Sequence, residues 1–280
     1  MPQRLTQLES REARSGVSRR TIVAGAAWTA PVIAATIAVP SAAASDNCPT
    51  GTFTTQFTTG QGAGNPIILQ ATSPDTAEIY TVRITSVLDA GTTATQNGST
   101  FNMSQSASGW NGGWAADGSE DYIFNDFGQA GALVLNQRKT GTTSPSGTGA
   151  DGQQLTFEFF DSTGRTVSPS NVQFDIFDIS SGANLPAWRP HYWDAVGFSV
   201  PPTSIVSAPG GDTGMGSGTI ANPFGRSVGT LSTGSGPWRD QFSFASFPSG
   251  STMRYTQLDG RQGWHFVSIS GLRFDAQVSC

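Results

Sequence analysis

From about residue 50 onward the chain alternates between apolar and polar positions. Tyr80, Val82 and Ile84 are interleaved with Thr81, Arg83 and Thr85, and Val172, Phe174 and Ile176 with Gln173 and Asp175. Leu155, Phe157 and Phe159 form a third such run. A period of two places each apolar set on one face of a strand. Phe242, Phe244 and Phe247 make a further run with a slip or bulge, and His265, Val267 and Ile269 another. In the last strand Leu272, Phe274, Ala276, Val278 and Cys280 share one face, and Arg273, Asp275 and Gln277 take the other. More strands are expected near 51–59, 131–138, 194–200 and 251–258. Gly, Pro, Asn and Ser bound these runs, and no helical period is found among them. The pattern predicts an all-β fold of ten or more strands: a two-sheet antiparallel β-sandwich of jelly-roll or lectin-like type. The stretch 140–152, TGTTSPSGTGADG, reads as a long surface loop within one domain of residues 45–280.

The first 44 residues follow a different rule. Arg4, Arg11, Arg14, Arg19 and Arg20 face only Glu9 and Glu12, and from Thr21 to Ser45 there is no charge. A basic stretch, an apolar stretch and a run of small residues make the pattern of a helical export signal, with cleavage expected after Ala44. Ser18-Arg19-Arg20-Thr21-Ile22-Val23 resembles the twin-arginine motif, with Ala24 where that motif usually has Lys. The resemblance implies export in the folded state. A retained membrane anchor is the competing reading, but Pro31 and Pro40 break the apolar run. The remaining chain is expected to be secreted, with no membrane association after cleavage, and associated with the cell wall.

Composition narrows the class. Gly, Ser and Thr supply 99 of the 280 residues and charged residues only 12%, against roughly 25% in an ordinary soluble domain. With 17 Phe and 7 Trp the chain is rich enough in aromatics to build a core. The acids outside the signal outnumber the bases, so binding to nucleic acid is disfavoured. The two cysteines, Cys48 and Cys280, stand near the two ends of the exported part, where an oxidising compartment favours a disulfide. Such a bridge would close a loop of about 230 residues, and loop entropy puts its worth at roughly 5 kcal/mol or less.

The segment Leu155–Val200 contains LTFEFFDSTGRTVSPSNVQFDIFDIS and, further on, YWDAVGFSV. It resembles β-sandwich domains in secreted and surface proteins of bacteria. In those domains a strand ending in an Asp-Ile-Asp-Ser-like tetrapeptide precedes an Asp-x-Val strand. Here these are Phe177-Asp178-Ile179-Ser180 and Asp194-Ala195-Val196. The resemblance implies an extracellular sandwich and carries no settled activity.

Asp178 continues the apolar parity of Val172, Phe174 and Ile176. A carboxylate there must be paired, metal-bound or turned to water by a bulge at Phe177. Asp175, Asp178 and Asp194 are candidate oxygen ligands for Ca²⁺. Trp110 and Trp114, and Trp188, Tyr192 and Trp193, form two aromatic stretches whose flat rings suit a sugar. Gly225-Arg226-Ser227-Val228-Gly229, with Asp240 or Asp259 and His265, has the order of a serine hydrolase triad but lacks the helix pattern such a motif needs. The leading expectation is a non-enzymatic protein that binds a cell-surface glycan or protein. A purely structural envelope module and a secreted serine hydrolase are the alternatives.

Overall fold

A computed structural model describes residues 48–57, 64–96, 99–100, 102–105, 131–140, 151–182, 192–208, 214–227, 239–257 and 265–278. They belong to one compact unit, Cys48–Cys280. Among them no helix is long and apolar enough to cross a membrane.

The described chain is all-β. Its strands of five residues or more are β1 (Thr50–Thr55), β2 (Ile67–Thr72), β3 (Ile79–Leu88), β4 (Leu133–Lys139), β5 (Asp151–Phe160) and β6 (Ser170–Phe177). They continue with β7 (Tyr192–Phe198), β8 (Ser204–Ala208), β9 (Arg239–Ser246), β10 (Ser251–Gln257), β11 (His265–Ile269) and β12 (Arg273–Gln277). From β7 the hydrogen-bonded ladder runs through β10, β5, β3, β2, β1 and β12 to β6. There it forks. One edge of β6 pairs with β9, which carries β8; the other passes from β12 to β11, which carries β4. Every pairing between these strands is antiparallel, and among the described residues the ladder does not close on itself.

The alternation explains the burial. In β3 and β5 the odd and even sets separate into buried and outward-facing residues along nearly the whole strand. Tyr80, Val82 and Ile84 face the core with Leu155, Phe157 and Phe159. On the other face Arg83 and Glu158 stand opposite each other and form a bidentate ion pair, with N–O distances of 2.7 and 2.8 Å. In the slipped run Phe242 and Phe244 lie in β9, and Phe247 returns to the core just past its end.

Ring contacts reveal how the ladder folds. β5 and β6 are five ladder steps apart, about 24 Å if the sheet were flat. Yet the Phe157 and Phe174 ring centroids are 6.0 Å apart. β7 and β9 are farther along the ladder still, and Phe198 meets Phe242 at 5.1 Å and Phe244 at 4.9 Å. The ladder therefore doubles back and packs its apolar face against itself. Phe247 sits at the centre, against Phe157, Phe159, Phe174, Phe198 and Phe244. The fully buried rings stabilise by area burial and by tilted and edge-on contacts.

Replacing Phe198 by Ala removes a ring that touches both halves of the doubled ladder. The expected loss is about 3–5 kcal/mol of unfolding free energy in chemical denaturation; a loss below about 1 kcal/mol would contradict this packing.

Candidate functional site

One end of the core is polar. On the inward face, β3 passes from Ile84 to Ser86, and β5 from Leu155 to Gln153 and Asp151. In the same way β7 passes from Val196 to Asp194, β9 from Phe242 to Asp240, β11 from Val267 to His265, and β4 from Leu135 to Gln137. The ladder register puts these ends together. His265 lies opposite Gln137, and Gln257 stands between Asp194 and Asp151. Ser86, Gln137, Asp151, Gln153, Asp194, Asp240 and His265 are all buried.

Hydrogen bonds make this burial tolerable. Gln137 Nε2 donates to Asp151 Oδ1 at 2.6 Å. Ser86 Oγ donates to Gln153 Oε1 at 2.8 Å, and Asn102 Nδ2 donates to the same oxygen at 3.0 Å. Tyr255 donates its hydroxyl to Asp194 Oδ1 at 2.8 Å, and Ser180 Oγ donates to Oδ2 at 3.4 Å. Burial pushes the Asp151 carboxyl up to about 7, against the effect of the Gln137 bond and with help from nearby Asp89. Burial also holds the Asp194 carboxyl well above the usual range, and Asp178 and Asp151 add to it. The Tyr255 hydroxyl is raised by burial and by Asp194.

The three acids expected to share a cation part company. Asp178 is the first residue after β6, buried, with a left-handed φ of 67°. It stands close enough to Asp194 to raise that carboxyl. Its burial excludes the reading in which a bulge turns it to water. Asp175, of the opposite parity, accepts from Arg239 Nε at 2.9 Å and from Gln241 at 3.4 Å. Among the described residues no three His, Cys, Asp or Glu side chains converge as metal ligands.

Beside this end a hairpin of residues 214–227 runs back along β7. Phe224 and Gly225 pair with Val196 and Ala195, and Met215 and Gly225 exchange backbone hydrogen bonds of 2.7 and 3.0 Å. Gly216 has a φ of 94°, and a Cβ there would meet the Pro223 carbonyl oxygen at 1.9 Å, so only glycine fits this turn. Arg226 anchors the hairpin. Its guanidinium donates to both oxygens of Asp240 at 2.7 and 2.8 Å and to the Ile179 carbonyl at 2.5 Å, with neither charged side chain exposed. Between hairpin and strand lies a groove of about 680 Å³, lined by Trp193, Ala195, Met215, Asn222, Pro223 and Ser227 among others.

Of the aromatic candidates, Trp193 lines this groove and is half-buried. Tyr192 belongs to β7, with its side chain outside the description. Trp110, Trp114 and Trp188 lie outside the described residues, as do Asp259 and Cys280. Of the hydrolase candidates, Asp240 is bound to Arg226, His265 is buried opposite Gln137, and the Ser227 carbonyl accepts a hydrogen bond from Ser181. Nothing in the sequence pattern marks Met215, Pro223 and Arg226 for binding beyond the glycine spacing 214, 216, 218. The chain matches no protein-family model, no curated protein and no solved structure.

The acids give a pH dependence of defined sign. Asp151 holds its proton in the folded state up to about pH 7, whereas the unfolded chain releases it near 4. The folded state binds more protons between these values, so stability falls as pH rises across them. The Asp151 contribution to that fall is on the order of 4 kcal/mol. Asp151→Asn keeps an acceptor for Gln137 and carries no charge. It is expected to flatten the fall between pH 4 and 8, read from urea midpoints at each pH. An unchanged slope would contradict a protonated Asp151.

Proposed function

We propose that the chain is an exported, non-enzymatic β-sandwich protein that binds a glycan of the cell surface in the groove beside Trp193. The observation that carries this reading is the groove itself, where one broad ring and the apolar flanks of Met215 and Pro223 meet the polar side chains of Asn222 and Ser227. A sugar ring has an apolar face and a rim of hydroxyls, and such a lining complements both. The two-sheet sandwich is supported by ring contacts across the doubled ladder. Export is supported by the basic, apolar and small-residue sequence of residues 1–44. Asp194, Arg226 and Ser227 also line the groove; there Asp194 accepts from the Tyr255 hydroxyl and Arg226 is bound to Asp240.

Trp193→Ala is expected to abolish retention on the insoluble polysaccharide or bacterial wall that holds the wild type, without lowering the melting temperature. Retention by the groove persists in EDTA. Unchanged retention of the variant would remove this site, and retention lost in EDTA would shift the reading to a Ca²⁺ near Asp178 and Asp194.

A Cys48–Cys280 disulfide belongs to the same proposal. Thr50 lies opposite Gln277, and the Val278 N–H donates to the Pro49 carbonyl at 2.8 Å, so both ends of the exported part run side by side. Alkylation of the denatured, unreduced protein is expected to leave its mass unchanged; two added alkyl groups would refute the bridge.

A further inference from the structure

We infer that the binding surface spans two cavities and takes a chain of linked sugars rather than a single ring, an extension that rests on the glycan reading above. A second cavity, of about 310 Å³, lies on the other side of the hairpin turn. It is lined by Asp89, Arg254, Thr256, Gly197 and Ile220, and Pro223 lines both cavities.

The strand pattern places the two side by side. Trp193, Ala195 and Gly197 alternate along one face of β7, a reach of about 13 Å. Across the ladder Thr256 is the partner of Ala195, and Arg254 the partner of Gly197. The Thr219–Asn222 turn rests directly on β7: a Cβ at Gly197 would meet the Thr219 carbonyl oxygen at 2.7 Å. A Cβ at Gly152 would likewise meet Asp89 Oδ2 at 2.6 Å, so the backbone of β5 passes close beneath the ion pair.

The cavities differ in chemistry, and the difference is that between the two surfaces of a sugar. The first presents a ring and apolar side chains beside the polar Asn222 and Ser227. The second presents the Arg254 guanidinium, the Asp89 carboxylate and the Thr256 hydroxyl. Arg254 Nη1 donates to Asp89 Oδ1 at 3.1 Å, and Nη2 to Oδ2. Their side chains are 34% and 35% exposed. A planar guanidinium and a carboxylate held side by side offer a donor and an acceptor to neighbouring hydroxyls. Because Pro223 stands between the cavities, one ring stacked on Trp193 leaves the second cavity to the next ring of the same chain. Linking the two contacts raises affinity without any new contact.

The test is calorimetric titration of the full exported chain with cello-oligosaccharides and chito-oligosaccharides of one to six units. Affinity for one series is expected to rise at least tenfold from one unit to four and then level off. Arg254→Ala and the isosteric Thr256→Val are expected to bring the tetramer back toward the affinity of the single sugar, with Thr256→Val keeping the wild-type melting temperature. Affinity that does not depend on chain length, or tetramer binding untouched by both variants, would overturn the extended site. So would a protein retained on polysaccharide that titrates with neither series. Binding that survives Trp193→Ala would instead overturn the glycan reading of the groove.

Discussion

The buried Arg226–Asp240 pair is the interaction on which the groove depends. Arg226 ties the hairpin to β9 through Asp240 and to the end of β6 through the Ile179 carbonyl. Ser207 of β8 adds a hydrogen bond to the same carboxylate at 2.5 Å. Taking both charges out of water is costly, and the bidentate geometry with further hydrogen bonds offsets much of that cost. What the pair contributes is position. It fixes the end of the hairpin whose Phe224 and Gly225 pair with Val196 and Ala195 of β7. Gly216 allows the turn; Arg226 keeps it in place.

The polar end of the core is the second constraint. A core built from phenylalanine rings needs no polar layer for stability. Here several strands nevertheless change from apolar to polar at the same level, and the resulting layer is cross-linked by amide, hydroxyl and carboxyl groups. Burial raises both the Asp151 and the Asp194 carboxyl in this layer and outweighs the hydrogen bonds that favour their charged forms. The layer lies inside the fold next to the strand that carries Trp193, and so supports the groove from behind.

Much of the fold was legible in the alternation. The runs through β3, β5, β6, β9, β11 and β12 are where the period of two puts them; β3, β5, β9 and β12 alternate between buried and outward-facing residues, while β6 and β11 end in stretches buried on both faces. β2 and β8 were not read as strands. Ile67, Leu69 and Ala71 do alternate, but Ile68 is outward-facing and apolar and blurs the pattern. Among the described residues β8 pairs with β9 alone, so no second described neighbour imposes a burial rhythm on Ser204–Ala208. The candidate site was less legible. Asp178 is buried, but it follows β6 with a left-handed φ of 67° and its neighbours Phe177 and Ile179 are buried as well, so strand parity does not account for its position; Asp175 lies with Arg239. In Gly225–Gly229 the hydrolase-like pattern points to Ser227, whereas the residue that matters to the fold is Arg226. Its partner lies fourteen residues on, and no spacing rule links an arginine to a carboxylate across a hairpin.

The most direct measurement is amide chemical-shift mapping of residues 45–280 titrated with a solubilised bacterial cell-wall polysaccharide. The account predicts the largest shifts at Trp193, Met215, Asn222 and Gly225, with a second group at Arg254 and Thr256. Shifts confined to the outer face of β2 and β3, or to segments remote from the 214–227 hairpin, would contradict it.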